Sequence, residues 1–270
     1  MTTRKQFLKD IGSVAALSTL SLNAKTAQAS PHRGILGANG ICYVNTKNGM
    51  PTAKDYVQDG LVTMWDGIEN AGWGVHDAVA TSWVDLINGI KSNVLECGTF
   101  NTNAFVVSTP KTVSLDSVDF YDFTDITIEL ILSDSFGRTS NDVYLEGDNN
   151  NKGISFQSNV SAFHSRFGCN VNLYFQYFIS TSTTVPIGGD FRAYAAVTSS
   201  ATSRETWWYC NGKSIYNYAR IKQPFHTIGI GKRTSCCGEF HRIAIYSRAL
   251  TAAEIAHNYS LDKKRFNLPD

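Results

Sequence analysis

Thr206-Trp207-Trp208-Tyr209-Cys210-Asn211-Gly212-Lys213-Ser214-Ile215-Tyr216-Asn217-Tyr218-Ala219 carries the strongest local signal for the fold. Asn211-Gly212 separates two runs rich in aromatic residues. Both turn residues tolerate positive φ, so the stretch predicts a β-hairpin with a two-residue turn. Working outward, Leu61-Val62-Thr63-Met64-Trp65 reads as a first strand, and residues 126–132 begin in strict alternation and finish apolar. Further strand patterns fall at 104–108, 143–146, 153–158, 160–166, 171–179, 191–198, 227–231 and 239–246. Short strands at about ten-residue spacing predict an all-β sandwich or jelly roll. Strand–helix alternation is missing, which excludes a doubly wound α/β sheet, and no internal repeat is visible.

Composition agrees. The 270 residues are 43% hydrophobic, 12% aromatic and only 17% charged, too apolar for a disordered chain. A formal charge of +1 lacks the basic excess of a nucleic-acid protein.

The N-terminal 29 residues carry the parts of an export signal. Arg4, Lys5 and Lys9 form a basic start, residues 11–22 a short apolar run, and Ala27-Gln28-Ala29 an A-x-A site. Twelve residues span about 18 Å as a helix, too short for a hydrocarbon core of roughly 30 Å. The stretch 3–9 resembles a twin-arginine signal with Lys5 in place of the second arginine, which leaves twin-arginine and general secretion both open. Removing 1–29 takes away Arg4, Lys5, Lys9 and Lys25 against Asp10, leaving 20 basic and 22 acidic residues. The reading is thus a signal peptide at 1–29, a lead-in at 30–55 and one domain at 56–266. The protein is expected outside the cytoplasm (extracellular, periplasmic or at the cell surface), with no transmembrane anchor after cleavage. Its six cysteines allow fifteen full pairings, all left open.

One helix is expected near the C-terminus. Thr251-Ala252-Ala253-Glu254 is a capping box. Ile255 and Tyr259, four apart, share a face that packs on the sandwich. Asp262-Lys263-Lys264-Arg265 reads as a solvated charged tail.

The last third carries a family resemblance. Trp208-Tyr209-Cys210-Asn211-Gly212-Lys213 resembles the hairpin of laminin-G-like domains, and Thr227-Ile228-Gly229-Ile230-Gly231 a later strand of theirs. Residues 239–251, Glu-Phe-His-Arg-Ile-Ala-Ile-Tyr-Ser-Arg-Ala-Leu-Thr, with Glu254-Ile255, resemble their closing block. Gly60-Leu61-Val62 and Trp83-Val84-Asp85-Leu86 resemble their opening, and Thr127-Ile128-Glu129 their central strand. The similarity covers about residues 56–262 and departs from the family at Cys236-Cys237-Gly238. It implies a concanavalin A-like jelly roll of two antiparallel sheets with one short C-terminal helix. Lectins, adhesion modules and glucanases share that fold, so fold alone does not choose among them.

Chemistry narrows the choice. Glucanases of this fold resemble one another in an E-x-D-x-x-E motif, which supplies nucleophile and acid. None of the seven glutamates opens that motif. No G-x-S-x-G or H-E-x-x-H is present. The histidines are scattered; His76-Asp77, in the Trp-rich connection 66–85, is the least ordinary. Sugar rings pack their apolar faces on exposed aromatics. Trp207, Trp208, Tyr174 and Tyr177 are the candidate ligand contacts. Adjacent residues face opposite sides of a strand, so one tryptophan joins the core and the other faces out. Trp73 and Trp83 are expected to pin the long connection. Many laminin-G-like domains carry calcium at loop ends, and Glu146, Asp148 and Asn150 are the candidate oxygen ligands. The leading function is an exported, non-catalytic carbohydrate-binding module that recognises a glycan or cell-surface component. A protein-adhesion or structural envelope module is the alternative, and a glycan-active hydrolase with a non-standard site a third.

Overall fold

The Asn211-Gly212 turn forms as the hairpin pattern requires, with φ of +50° at Asn211 and +71° at Gly212. Both angles lie in the left-handed region that matches the twist of a two-residue hairpin. The computed structural model describes residues 49–120, 122, 123, 125–133, 205–218, 226–230 and 236–268. It also describes the strand segments 35–36, 42–43, 143–147, 154–158, 163–167, 177–178 and 191–199. All belong to the unit His32–Asp270. The export-signal reading of 1–29 lies outside the described residues.

The first strands are β1 (Ile35–Leu36), β2 (Cys42–Tyr43), β3 (Leu61–Asp66), β4 (Val75–His76), β5 (Ser82–Val84), β6 (Lys91–Asn93) and β7 (Thr99–Phe100). Next come β8 (Phe105–Lys111), β9 (Val113–Leu115), β10 (Ile126–Ser133), β11 (Val143–Gly147), β12 (Ile154–Ser158), β13 (Phe163–Phe167) and β14 (Tyr177–Phe178). The last are β15 (Phe191–Ser199), β16 (Glu205–Cys210), β17 (Lys213–Tyr218), β18 (Ile228–Ile230) and β19 (Cys236–Tyr246), followed by helix α1 (Ala252–Phe266).

The main sheet runs β17-β16-β15-β10-β19-β8-β7, with β3 paired to the later half of β19. A second sheet runs β14-β13-β12-β11-β18-β9. Their described pairings are antiparallel. The architecture is the all-β sandwich expected, closed by one C-terminal helix. The lead-in 30–55 contributes β1 and β2, which join β4 in a three-stranded sheet.

Alternation decides which side chains meet. Ile126, Ile128, Leu130 and Leu132 of β10, Ile243 and Ile245 of β19 and Trp208 of β16 enter one cluster. Val113 and Leu115 of β9 and Ile228 and Ile230 of β18 come to it from the second sheet. Burying each such side chain contributes about 1.5–3 kcal/mol. Trp83 is fully buried in the same core and donates its Nε1–H to the Asp66 carbonyl at 3.0 Å, so it does pin the long connection.

The helix starts as its cap predicts. The Thr251 hydroxyl accepts from the Glu254 amide at 3.3 Å, and Glu254 accepts from the Thr251 amide at 2.8 Å. Ile255 is buried against the sheet, while Tyr259 is half-buried and crosses the Gly212 turn. A Cβ on Gly212 would come within 2.8 Å of the Tyr259 ring, so this turn needs glycine for space as well as for φ. One expectation fails. Asp262 and Arg265 are buried rather than solvated, because α1 lies on the outer face of the main sheet and turns them onto it.

Candidate functional site

The outer face of the main sheet has a sealed part and an open part. Alternation places Glu129 of β10 and Arg242 and Tyr246 of β19 on this face, beneath α1. Arg242 donates from Nε and Nη2 to the two Asp262 oxygens, both at 2.9 Å, and from Nη1 to Glu129 at 2.8 Å. This fork-to-carboxylate geometry suits a planar guanidinium. Asn258 donates to both Glu129 oxygens, at 3.1 and 3.0 Å, and accepts from the Val57 amide at 3.0 Å. Tyr56 donates to Asp262 at 2.7 Å, and its ring centre lies 4.2 Å from the Arg242 guanidinium carbon. Burial pushes the Glu129 carboxyl up, and Arg242 pulls it back.

A second clamp sits one helical turn away. Arg265 donates to Asp66 at 3.0 Å and Glu69 at 3.1 Å. Glu69 also accepts from the Ala53 and Gly74 amides, each at 2.8 Å. Burial raises the Glu69 carboxyl, the neighbouring Asp66 raises it further, and Arg265 opposes both. Chemically these carboxylates hold guanidinium groups under a helix, and they face protein rather than solvent. A sequence signal for them existed. Ile255, Asn258, Asp262 and Arg265 follow helical spacing along one face, but the three polar members disguise it as a solvated stripe.

Beyond the helix, β16 presents its aromatics in alternation. Trp208 is 4% exposed within the core between the sheets. That burial removes it from the candidate ligand contacts. Trp207 is 38% exposed and lies opposite Val197 of β15 and Asn217 of β17. Tyr177 is in β14, at the edge of the second sheet, opposite Ser165. Glu146 is in β11, between Ser155 and Gly229. Tyr174, Asp148 and Asn150 lie outside the described residues. Among the described residues, no group of three or more His, Cys, Asp or Glu side chains is arranged to hold a metal ion. No helix among them is long and apolar enough to cross a membrane.

No family model matches the chain, and no curated protein matches it. Solved structures do. Trypanosoma rangeli sialidase in complex with sialic acid superposes with a TM-score of 0.55 at 14% identity, over 82% of this chain and 36% of that one. The binding domain of botulinum neurotoxin serotype D gives 0.55 at 13% identity, over 75% of this chain and 52% of that one. The receptor binding domain of a botulinum neurotoxin C/D mosaic serotype gives 0.55 at 13%, over 76% and 52%. The chain thus spans about a third of the sialidase and about half of the toxin domains. At this identity the likeness establishes the β-sandwich fold and nothing of the activity.

Proposed function

We propose that this chain is an exported, non-catalytic carbohydrate-binding module of laminin-G-like type, which meets its glycan through Trp207. The observation that carries the reading is an indole with 38% of its surface open, on the sheet face whose neighbouring part lies under α1. Such a ring offers a flat apolar surface to the C–H face of a pyranose. The laminin-G-like motifs of the closing block support it. So do neighbours whose names refer to sialic acid and to receptor binding. The carboxylates gathered under α1 engage arginine, which favours binding over hydrolysis. Calcium at Glu146, Asp148 and Asn150 belongs to the same proposal.

The test is a glycan array probed with the full chain, in calcium and again in EDTA. Saturable binding to one glycan class is expected, weakened about tenfold or more by Trp207→Ala, a loss of about 1.4 kcal/mol. Loss in EDTA would add the calcium site. A blank array from a folded sample would overturn the reading in favour of protein adhesion. Binding untouched by Trp207→Ala would remove that residue from the site.

A further inference from the structure

His76-Asp77 opens a loop held by a set of backbone and amide hydrogen bonds. Asn70 accepts from the Asp77 amide at 2.8 Å and donates to the Asp77 carbonyl at 2.7 Å. The Ala80 amide reaches the same carbonyl at 3.2 Å, and Asp77 Oδ1 accepts from the Val79 amide at 3.0 Å. The Val94 amide donates to the Thr81 carbonyl at 3.0 Å, which ties the loop to the end of β6. The β5–β6 pairing then sets Lys91 opposite Val84. These contacts hold Asp77, Val79, Ala80, Thr81, Ser82 and Lys91 around a cavity of about 240 Å³. Drug-sized ligands occupy roughly 300–1,000 Å³, so this cavity suits a single small ring.

Its polar groups are left for a visitor. Among the described residues, Asp77 Oδ2, the Thr81 and Ser82 hydroxyls and the Lys91 ammonium make no hydrogen bond. Asp77 and Lys91 border one cavity without forming an ion pair. A carboxylate only accepts and an ammonium only donates, whereas a sugar hydroxyl does both. The hydroxyls of one ring therefore offer both functions that this lining lacks, a donor for Asp77 and an acceptor for Lys91. With one charge of each sign in the lining, the cavity has no net charge to select an ion, and a neutral polyol meets no repulsion from either. Val79, 81% exposed at the mouth, offers methyl groups to the C–H face of such a ring.

We propose that this cavity is a second saccharide subsite, which takes one neutral pyranose through its hydroxyls. The proposal rests on the carbohydrate-binding reading, but it uses residues and elements distinct from Trp207, so the two can fail separately.

The test is an amide NMR titration of the isotope-labelled full chain with millimolar methyl α-D-mannopyranoside, methyl α-D-glucopyranoside and methyl β-D-galactopyranoside. At least one should move the amides of residues 79–82 saturably. Asp77→Asn keeps the acceptor for the Val79 amide and removes the charge; it should weaken binding about tenfold, as should Lys91→Met. Trp207→Ala should leave these shifts in place. The proposal falls if no glycoside moves residues 79–82, or if both variants bind as the parent does. Shifts confined to the Trp207 indole would overturn this subsite and keep the wider reading. Silence at both places with a blank array would overturn both.

Discussion

Ile126, Ile128, Leu130 and Leu132 enter the core between the sheets, whereas Thr127, Glu129, Ile131 and Ser133, alternating with them along β10, lie on the face turned to α1. All eight are buried. The inner four are buried by apolar contact, which is non-directional and tolerates small shifts. Much of the outer face is buried by directed bonds. Thr127 donates to the Arg248 carbonyl at 2.9 Å and accepts from the Leu250 amide at 2.9 Å. Glu129 meets Arg242 and Asn258. The Arg242 fork holds Asp262 by two directed bonds, which ties the helix to this position on the sheet. The difference teaches that the inner face supplies much of the stability, while the outer face sets where the helix sits.

Removing one member of the outer network should give the largest effect. Arg242→Ala leaves Glu129 and Asp262 buried without their counter-charge, at a cost of about 3–5 kcal/mol. Replacing Arg242, Glu129, Asp262 and Tyr56 together by apolar residues of similar volume should be nearly neutral or stabilising. On the inner face, Leu130→Ala should cost about 2–5 kcal/mol. Denaturant unfolding of the variants decides it. If the fourfold replacement is as damaging as Arg242→Ala, the outer network supplies net stability and the contrast between the faces collapses.

His241 sharpens the comparison at the point where β19 departs from regular register. Between Leu132 and Ile131 of β10, β19 advances from Phe240 to Arg242, so His241 is the extra residue of a bulge. It is fully buried, packs at 5.4 Å from Phe266 and pairs Nδ1 with the Asn103 carbonyl at 3.1 Å. Burial lowers its imidazolium to about 4, partly offset by the Asn103 carbonyl. The unfolded chain takes up this proton near pH 6.5. Between about 6.5 and 4 the unfolded state therefore binds more protons, and stability falls as pH falls. The loss should approach about 3 kcal/mol at pH 4. His241→Asn, which does not titrate, should flatten that part of the stability–pH curve. Glu69 and Glu129, whose carboxyls are raised, slope the other way and are common to both proteins. An unchanged curve in the variant would show that His241 is not buried in its neutral form.

These faces differ in how far they can be read from sequence. The strands were legible because period-two alternation and Asn211-Gly212 are local signals. The helix start was legible because Thr251 and Glu254 are three residues apart. The outer network was not. Arg242 lies twenty residues from Asp262 and more than a hundred from Glu129, and a charge in a sequence defaults to solvent. At the candidate site, alternation predicted that one of Trp207 and Trp208 would face out. Which one depends on the register with β15, a tertiary fact. The Asp77 cavity depends on Asn70 and the β5–β6 pairing, and His76-Asp77 alone gave no hint of it.

The smallest effect is expected where α1 crosses the hairpin, because there both kinds of constraint meet in one residue. Gly212 holds φ at +71°, and a methyl group added to it would approach Tyr259 Cδ1 to 2.8 Å. The left-handed conformation costs a non-glycine residue about 1–2 kcal/mol. The ring contact adds only what it takes to move a half-buried side chain. Gly212→Ala should therefore destabilise by about 1–2 kcal/mol, or roughly 2–8 °C in Tm. Asn211, already at φ +50°, is the control, and Asn211→Gly should be close to neutral. Combining Gly212→Ala with Tyr259→Ala separates the terms. If the double variant recovers none of the loss beyond that of Tyr259→Ala alone, the cost is all backbone. A recovery of half or more would instead mean that the helix rests on the hairpin turn, and that α1 is positioned by the turn as well as by the charges beneath it.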